Sequence, residues 1–205
     1  MSSYLYEFPD DYGRPIEEGE GLDYIAETDK TASNVFNGDS TTASELAADL
    51  RTFIEASRKL NKHKKVLFRN QSRQEAGFLP WSNPDPTNPV ALVSTLFPEA
   101  HADLLHGIIG VATESGELCE IAYDQLTSTA GLTHALDVTH VREETGDVLW
   151  YLSRLVKWAD TTFLSEMKRN VAKLRARHGE AGFSKERDMN RDLDAEHKLL
   201  EGGEG

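Results

Sequence analysis

Apolar residues recur every three or four positions through most of the chain, which is the period of an α-helix. This pattern predicts helices over residues 43–67, 99–126, 138–160 and 162–178, followed by a charged helix over residues 185–200. Glycine, proline and small polar residues separate these segments. We therefore expect an all-α protein in which four to five helices form a bundle.

Composition divides the chain into four segments. Residues 1–42 are acidic, which predicts a flexible and partly disordered N-terminal arm. Residues 43–98 combine an N-terminal helix, a basic segment and a proline-rich loop. Residues 99–184 contain the helices with candidate chemistry, and residues 185–205 form a charged C-terminal helix with a flexible tail.

Charge argues against two classes of partner. The formal net charge is −13, of which residues 1–40 contribute −8 and residues 185–205 contribute −3. An acidic chain binds nucleic acids and anionic membranes poorly by bulk charge. We therefore expect neither nucleic acid nor membrane as a partner.

The reducing cytoplasm is the expected compartment. A single cysteine, Cys119, excludes an intrachain disulfide. No apolar run reaches the length of a membrane span, and the first residues lack the basic and apolar regions of a secretory signal.

A pattern of acid, hydroxyl, glycine and acid occurs twice, in Glu114–Glu117 and in Glu144–Asp147. Residues three apart on a helix occupy neighbouring positions of one face, so each copy directs two carboxylates the same way. Two such helices packed together would direct four carboxylates at one point. These repel one another unless cations lie between them, so a pair or trio of hard divalent ions is expected, with Mg²⁺ favoured for oxygen ligands.

Acid pairs three residues apart also arise by chance in an acidic chain, and most of them form solvated helix faces. Three features favour a site here: the flanks are apolar, the pattern is repeated, and a glycine precedes the second acid in each copy. Glycine costs a helix roughly 1 kcal/mol relative to alanine. Gly116 and Gly146 therefore suggest the close approach of another group.

Other candidate residues lie at helical spacing from the acid pairs. His106 lies two turns before Glu114, and Tyr151 lies one turn after Asp147. One face of the next helix combines an amide with two cations suited to phosphate oxygens, from Asn170, Lys173 and Arg177. The alternative is that these residues are structural. His106 would then be a core histidine and Tyr151 a half-buried aromatic ring, and the face of the next helix would be a solvent-facing polar stripe.

Residues 58–73 contain seven bases and no acid. The bases are Arg58, Lys59, Lys62, Lys64, Lys65, Arg69 and Arg73. One interpretation is a solvated basic face that complements the charge of the acidic arm or of a neighbouring subunit. The other is a surface from which one or two bases reach a phosphate chain.

The order and spacing of these motifs resemble the MazG-like all-α nucleotide pyrophosphohydrolases. The resemblance covers roughly residues 100–184 and rests on both acid pairs, on Val148-Leu149-Trp150-Tyr151-Leu152, on Asn170-Val171-Ala172-Lys173-Leu174-Arg175 and on Gly182-Phe183-Ser184. Ser115 and Thr145 stand where that family often has an apolar residue. The tail from Glu186 is similar to tails of bacteriophage-borne members, for which the host cytoplasm would be the location.

The resemblance implies cleavage of a nucleoside triphosphate between the α and β phosphates, giving a nucleoside monophosphate and pyrophosphate. It implies Mg²⁺, with Mn²⁺ as a substitute, held by Glu114, Glu117, Glu144 and Asp147. One of these acids, or Glu143, would act as base toward water. Asn170, Lys173 and Arg177 would hold the β and γ phosphates, and Tyr151 and His106 would contact the nucleoside. A homodimer or homotetramer is also implied.

Three alternatives remain open from the sequence. Phosphoribosyl-ATP pyrophosphatases and dimeric dUTP-specific enzymes share the scaffold. A di-iron carboxylate bundle would need Glu-x-x-His motifs, which neither acid pair provides. A non-catalytic helical interaction module, in which the acids are surface charges, predicts no metal binding.

Overall fold

The computed structural model describes residues 23–33, 35–79, 93–128, 136–179 and 182–201. Within these ranges every regular element is helical, which confirms the predicted all-α class. Most of the predicted proline-rich loop lies outside the described residues. No helix in the described ranges is both long and apolar enough to cross a membrane.

The long helices lie close to their predicted positions. The elements are α1 (Tyr24–Thr31), α2 (Ala43–Phe68), α3 (Val93–Leu96), α4 (Ala102–Thr127), α5 (Val138–Trp158), α6 (Phe163–His178), α7 (Lys185–Met189) and α8 (Leu193–Glu201). Short 3₁₀ turns occupy Gly38–Ser40 and Glu99–His101.

Side-chain caps fix where two of the long helices begin. The Thr42 hydroxyl accepts from the Glu45 amide while the Glu45 carboxylate accepts from the Thr42 amide, a capping box at the start of α2. The Asp137 carboxylate accepts from the amides of Thr139 and His140 at the start of α5. Each cap satisfies amides that the helix itself leaves unpaired.

The described residues form two compact units, one drawn from residues 37–162 and one that combines residues from 1–36 with residues from 163–205. In the first unit, α4 packs against α2 on one side and α5 on the other. Glycines permit this close packing. A Cβ atom at Gly110 would lie 1.9 Å from the Tyr151 ring, and one at Gly116 would lie 2.0 Å from the Ser57 hydroxyl oxygen.

The second unit contains a helix that the sequence pattern did not predict. Within the expected disordered arm, α1 packs against α6. The Tyr24 hydroxyl donates to Asn170 Oδ1 over 3.0 Å, and Arg175 pairs with Glu27. These contacts supply the packing partner that a short isolated helix needs.

The predicted single C-terminal helix is instead two helices, α7 and α8. The chain leaves the helical conformation at residues 190–192, where the Asp192 carboxylate accepts from the Ala195 amide. That contact begins α8, which packs against α6. The Arg177 guanidinium of α6 donates two hydrogen bonds of 2.8 Å to the Glu196 carboxylate of α8.

The two pattern glycines differ in their surroundings, although the sequence suggested close approach at both. Among the described residues, nothing lies within 4 Å of a Cβ atom built at Gly146. Gly116→Ala should therefore lower the free energy of unfolding by about 2 kcal/mol, because α2 must move away from α4. Gly146→Ala should raise it by up to about 1 kcal/mol through helix propensity. Urea denaturation of both variants checks this, and equal effects would contradict it.

Glu196 gives the second unit a pH-dependent contribution to stability. Hydrogen bonds from Arg177 and then Arg191 lower its pKa from 4.5 to about 2, so the charged carboxylate favours the folded state. The contribution is fully present above about pH 4.5 and is lost as the pH falls through about 2. Glu196→Gln should destabilise the protein by about 2 kcal/mol at pH 7, and the difference should shrink below pH 4. Denaturant unfolding at pH 7 and pH 3.5 measures it, and a difference independent of pH would refute it.

Candidate metal centre

Three carboxylates from two helices converge in the first unit. Glu114 and Glu117 lie one turn apart on α4, and Glu144 lies on α5. One oxygen from each lies within 4.8 Å of the others. Two oxygens bound to one Mg²⁺ are separated by at most roughly 4.2 Å, so small side-chain shifts would let the three hold one ion.

The fourth predicted acid occupies a different position. Asp147 is exposed, one turn after Glu144 on α5, and it is not part of the three-carboxylate group. Glu117 has the same three-residue spacing from Glu114 and does belong to the group, so the position of Asp147 reflects how α5 is rotated in the bundle rather than its spacing from Glu144. Its charge still contributes to raising the pKa of Glu144, so it lies close to the cluster.

Burial and mutual repulsion perturb the cluster. Glu114 and Glu144 are each 5% exposed. Burial, together with the Glu117 and Glu114 carboxylates, raises the pKa of Glu144 from 4.5 to about 6. Burial and the Glu114 carboxylate also raise the pKa of Glu117. A bound cation would relieve this repulsion.

Glu144 has one oxygen that lacks a partner. Its Oε1 lies 3.2 Å from His140 Nε2. Its Oε2 is buried and has no hydrogen-bond partner among the described residues. A buried carboxylate oxygen without a donor is costly, and a metal ion would satisfy it. This observation distinguishes the cluster from a solvated acidic face.

A lysine lies within the acid cluster. Lys64 of α2 is 1% exposed, forms an ion pair with Glu114 and donates to Thr113 Oγ1 over 2.7 Å. Its Nζ also lies 4.8 Å from the centre of the Tyr151 ring. Lys64 was predicted only as one member of the basic segment, with no role of its own.

A sequence signal for Lys64 did exist. It lies on the inward face of α2 at steps of three and four, with Ile54, Ser57, Asn61 and Phe68. A lysine on an otherwise inward stripe needs an anionic partner, since an unpaired buried ammonium is costly. The acids of α4 are the natural candidates, so the pairing could have been predicted from the stripe.

Other members of the basic segment also contact neighbours within the first unit. Arg58 pairs with Glu120 over 3.0 Å, and Lys62 donates to the Gly77 carbonyl over 3.2 Å. Arg69 donates to the Tyr151 hydroxyl over 3.4 Å. Much of the segment therefore serves contacts between α2 and its surroundings, rather than forming only a solvated face.

The two predicted nucleoside-contacting residues belong to an aromatic cluster. His106 stacks on Phe68 with ring centres 4.1 Å apart, and burial followed by Lys64 lowers its pKa. Tyr151 is 5% exposed and lies edge-on to His106 and Trp150. In this arrangement both rings pack against protein.

The predicted phosphate-binding residues lie on α6, in the second unit. The side-chain oxygen of Asn170 accepts from the Tyr24 hydroxyl, and Arg177 forms ion pairs with Glu196 and Asp188. Lys173 is half-buried. Two of the three thus have structural partners within their own unit.

A polar cavity of about 230 Å³ adjoins the acid cluster. Glu117 belongs to both, and the other lining residues are Ser57, Arg58, Asn61, Thr113 and Glu120. The Oδ1 atom of Asn61 is buried without a hydrogen-bond partner among the described residues. Small-molecule sites typically enclose about 300–1,000 Å³, so this cavity suits part of a nucleotide.

Comparison of the chain with protein-family models, curated proteins and solved structures finds no match. The resemblance to MazG-like enzymes therefore rests on the motif residues alone.

Divalent cations should stabilise the protein through Glu144. Mn²⁺ or Mg²⁺ at 100 times its dissociation constant adds about 2.7 kcal/mol, which raises the melting temperature by roughly 5–10 °C for a chain of this size. Glu144→Gln should remove most of that shift. Glu143→Gln is the matched control, because Glu143 is the adjacent, exposed acid, and it should keep the shift. Thermal unfolding with and without metal measures this, and a full shift in Glu144→Gln would refute the site.

Proposed function

We propose that this chain is a Mg²⁺-dependent nucleoside triphosphate pyrophosphohydrolase. It would cleave the bond between the α and β phosphates, giving a nucleoside or deoxynucleoside monophosphate and pyrophosphate. The observation that carries the proposal is the largely buried cluster of Glu114, Glu117 and Glu144, with the Glu144 oxygen that has no hydrogen-bond partner among the described residues. The order and spacing of the motif residues supply the reaction class.

Electrostatics supports a metal-dependent reaction on a phosphate substrate. The cluster and a triphosphate are both strongly anionic, so they repel unless cations bridge them. Glu114, Glu117 and Glu144 would hold the metal, and Asp147 is available from the solvent side. Bound Mg²⁺ would polarise the α-phosphate, lower the pKa of water and neutralise the leaving pyrophosphate.

The chain's own residues would perform the remaining tasks. Glu143 and Asp147 are exposed beside the cluster and are candidates for the base that receives a proton from water. The cavity that contains Asn61 would enclose part of the substrate. Asn170, Lys173 and Arg177 on α6 remain phosphate-binding candidates from the sequence, and within the second unit Asn170 and Arg177 have partners of their own.

Exposed apolar side chains support the proposed homo-oligomer. Four of them, spaced seven residues apart on α2, are each 37–42% exposed, namely Leu46, Phe53, Leu60 and Leu67. Seven-residue spacing is typical of helices that pack against a partner helix. Trp150 on α5 is 50% exposed. These faces suit a homodimer or homotetramer.

The same cluster is compatible with phosphoribosyl-ATP or dUTP as substrate, so the substrate must be measured. A purely structural role as an interaction module is less well supported. Acids that act as surface charges would be solvated, whereas Glu114 and Glu144 are each 5% exposed.

Pyrophosphate release from a panel of ribo- and deoxyribonucleoside triphosphates with Mg²⁺ tests the proposal. Glu117→Gln should reduce the rate roughly 100-fold or more, because it removes a carboxylate from the reacting centre. Asp124→Asn should stay within about twofold of wild type, since Asp124 is an exposed acid two turns further along α4. If folded wild-type protein releases no pyrophosphate from any triphosphate, phosphoribosyl-ATP is the next substrate to assay and the triphosphate assignment is wrong.

A further inference from the structure

Lys64 brings a positive charge into the acid cluster itself. Its side chain is 1% exposed, and its ammonium group pairs with Glu114. The three clustered carboxylates carry a charge of −3 when ionised, and Lys64 reduces this to −2. That residual charge matches one divalent cation.

The surroundings of Lys64 hold the ammonium group in place. Thr113 Oγ1 accepts from it over 2.7 Å and itself donates to the Gly110 carbonyl over 2.9 Å. The Tyr151 ring lies 4.8 Å away, a distance at which a cation is attracted to an aromatic face. Moving Lys64 out would leave Thr113 and Glu114 without this donor in a buried place.

We propose that Lys64 is a fixed internal cation that takes the place of one metal ion. The cluster then binds a single divalent cation per chain, rather than the pair or trio that four converging carboxylates would attract. Lys64 pairs through Oε1 of Glu114, which leaves Oε2 of that residue outside the ion pair. This inference deepens the proposed function, since it concerns the same metal centre, but it needs no catalytic turnover.

Neutralising Glu114 alone, and then Glu114 and Lys64 together, gives the sharpest test. Glu114→Gln removes one negative charge and leaves Lys64 facing two carboxylates, so Mn²⁺ should bind at least about tenfold more weakly. When Lys64→Met is added, the two remaining carboxylates carry a charge of −2, and no unpaired ammonium group is buried. The double variant should therefore bind Mn²⁺ at least about fivefold more tightly than Glu114→Gln alone.

Lys65 supplies the matched control. It is the next residue on α2 and is half-buried. Glu114→Gln combined with Lys65→Met should bind Mn²⁺ as weakly as Glu114→Gln alone. Electron paramagnetic resonance of free Mn²⁺ measures affinity and stoichiometry without nucleotide, and circular dichroism of each variant confirms folding.

The measurement also covers the single Lys64→Met variant. That variant should either bind a second Mn²⁺ or bind the first at least about tenfold more tightly, since the charge becomes −3. If it does not fold, the double variant still decides the question, because its buried pair has been neutralised on both sides.

Several results would overturn the proposal. Two or more Mn²⁺ per wild-type chain would show that Lys64 does not replace an ion, and no Mn²⁺ binding would remove the metal centre altogether. A double variant no tighter than Glu114→Gln would show that the charge of Lys64 does not act on the metal. Unchanged Mn²⁺ binding in Lys64→Met, with weaker binding of a non-hydrolysable triphosphate, would make Lys64 a phosphate ligand instead. Because none of these binding measurements requires turnover, absence of pyrophosphate release would refute the proposed reaction while leaving this inference standing.

Discussion

The first unit has to accommodate like charges inside the interface where its helices pack together. Three carboxylates within 4.8 Å of one another oppose the association of α4 and α5, and burial of Glu114 and Glu144 increases that cost. The ion pair from Lys64 of α2 offsets part of it. Removing one partner of such a buried pair typically costs about 3–5 kcal/mol, so α2 is as much a part of the centre as the helices that carry the acids.

Glycine positions make this geometry possible. The faces of α4 that meet α2 and α5 carry Gly116 and Gly110, where any side chain would collide with Ser57 or the Tyr151 ring. The close approach lets the ammonium of Lys64 reach Glu114 and keeps solvent away from both. Hydrogen bonds and aromatic contacts then surround the polar groups, as a buried polar network requires.

The sequence predicted the helices and much of the cluster, because helical periodicity and the repeated acid pattern are local signals. It did not predict α1, whose stability comes from contacts with distant α6, or the break between α7 and α8. The convergence of Glu114, Glu117 and Glu144 followed from spacing, whereas the side position of Asp147 depends on how α5 rotates in the bundle. Gly146 resembled Gly116 in sequence, yet within the described parts of the chain only Gly116 of the two meets a neighbouring helix.

The position of Lys64 has a consequence for where an independently folding piece of this protein can begin. The motif residues that suggest a pyrophosphohydrolase start near residue 100, but their internal counterion comes from α2, more than thirty residues earlier. A fragment cut to the motif region alone would leave Glu114 without its ammonium partner and expose the face of α4 that receives Ser57. A fragment that keeps this ion pair and all of α2 must therefore begin no later than the Thr42 cap, ahead of the residues that carry the recognisable pattern.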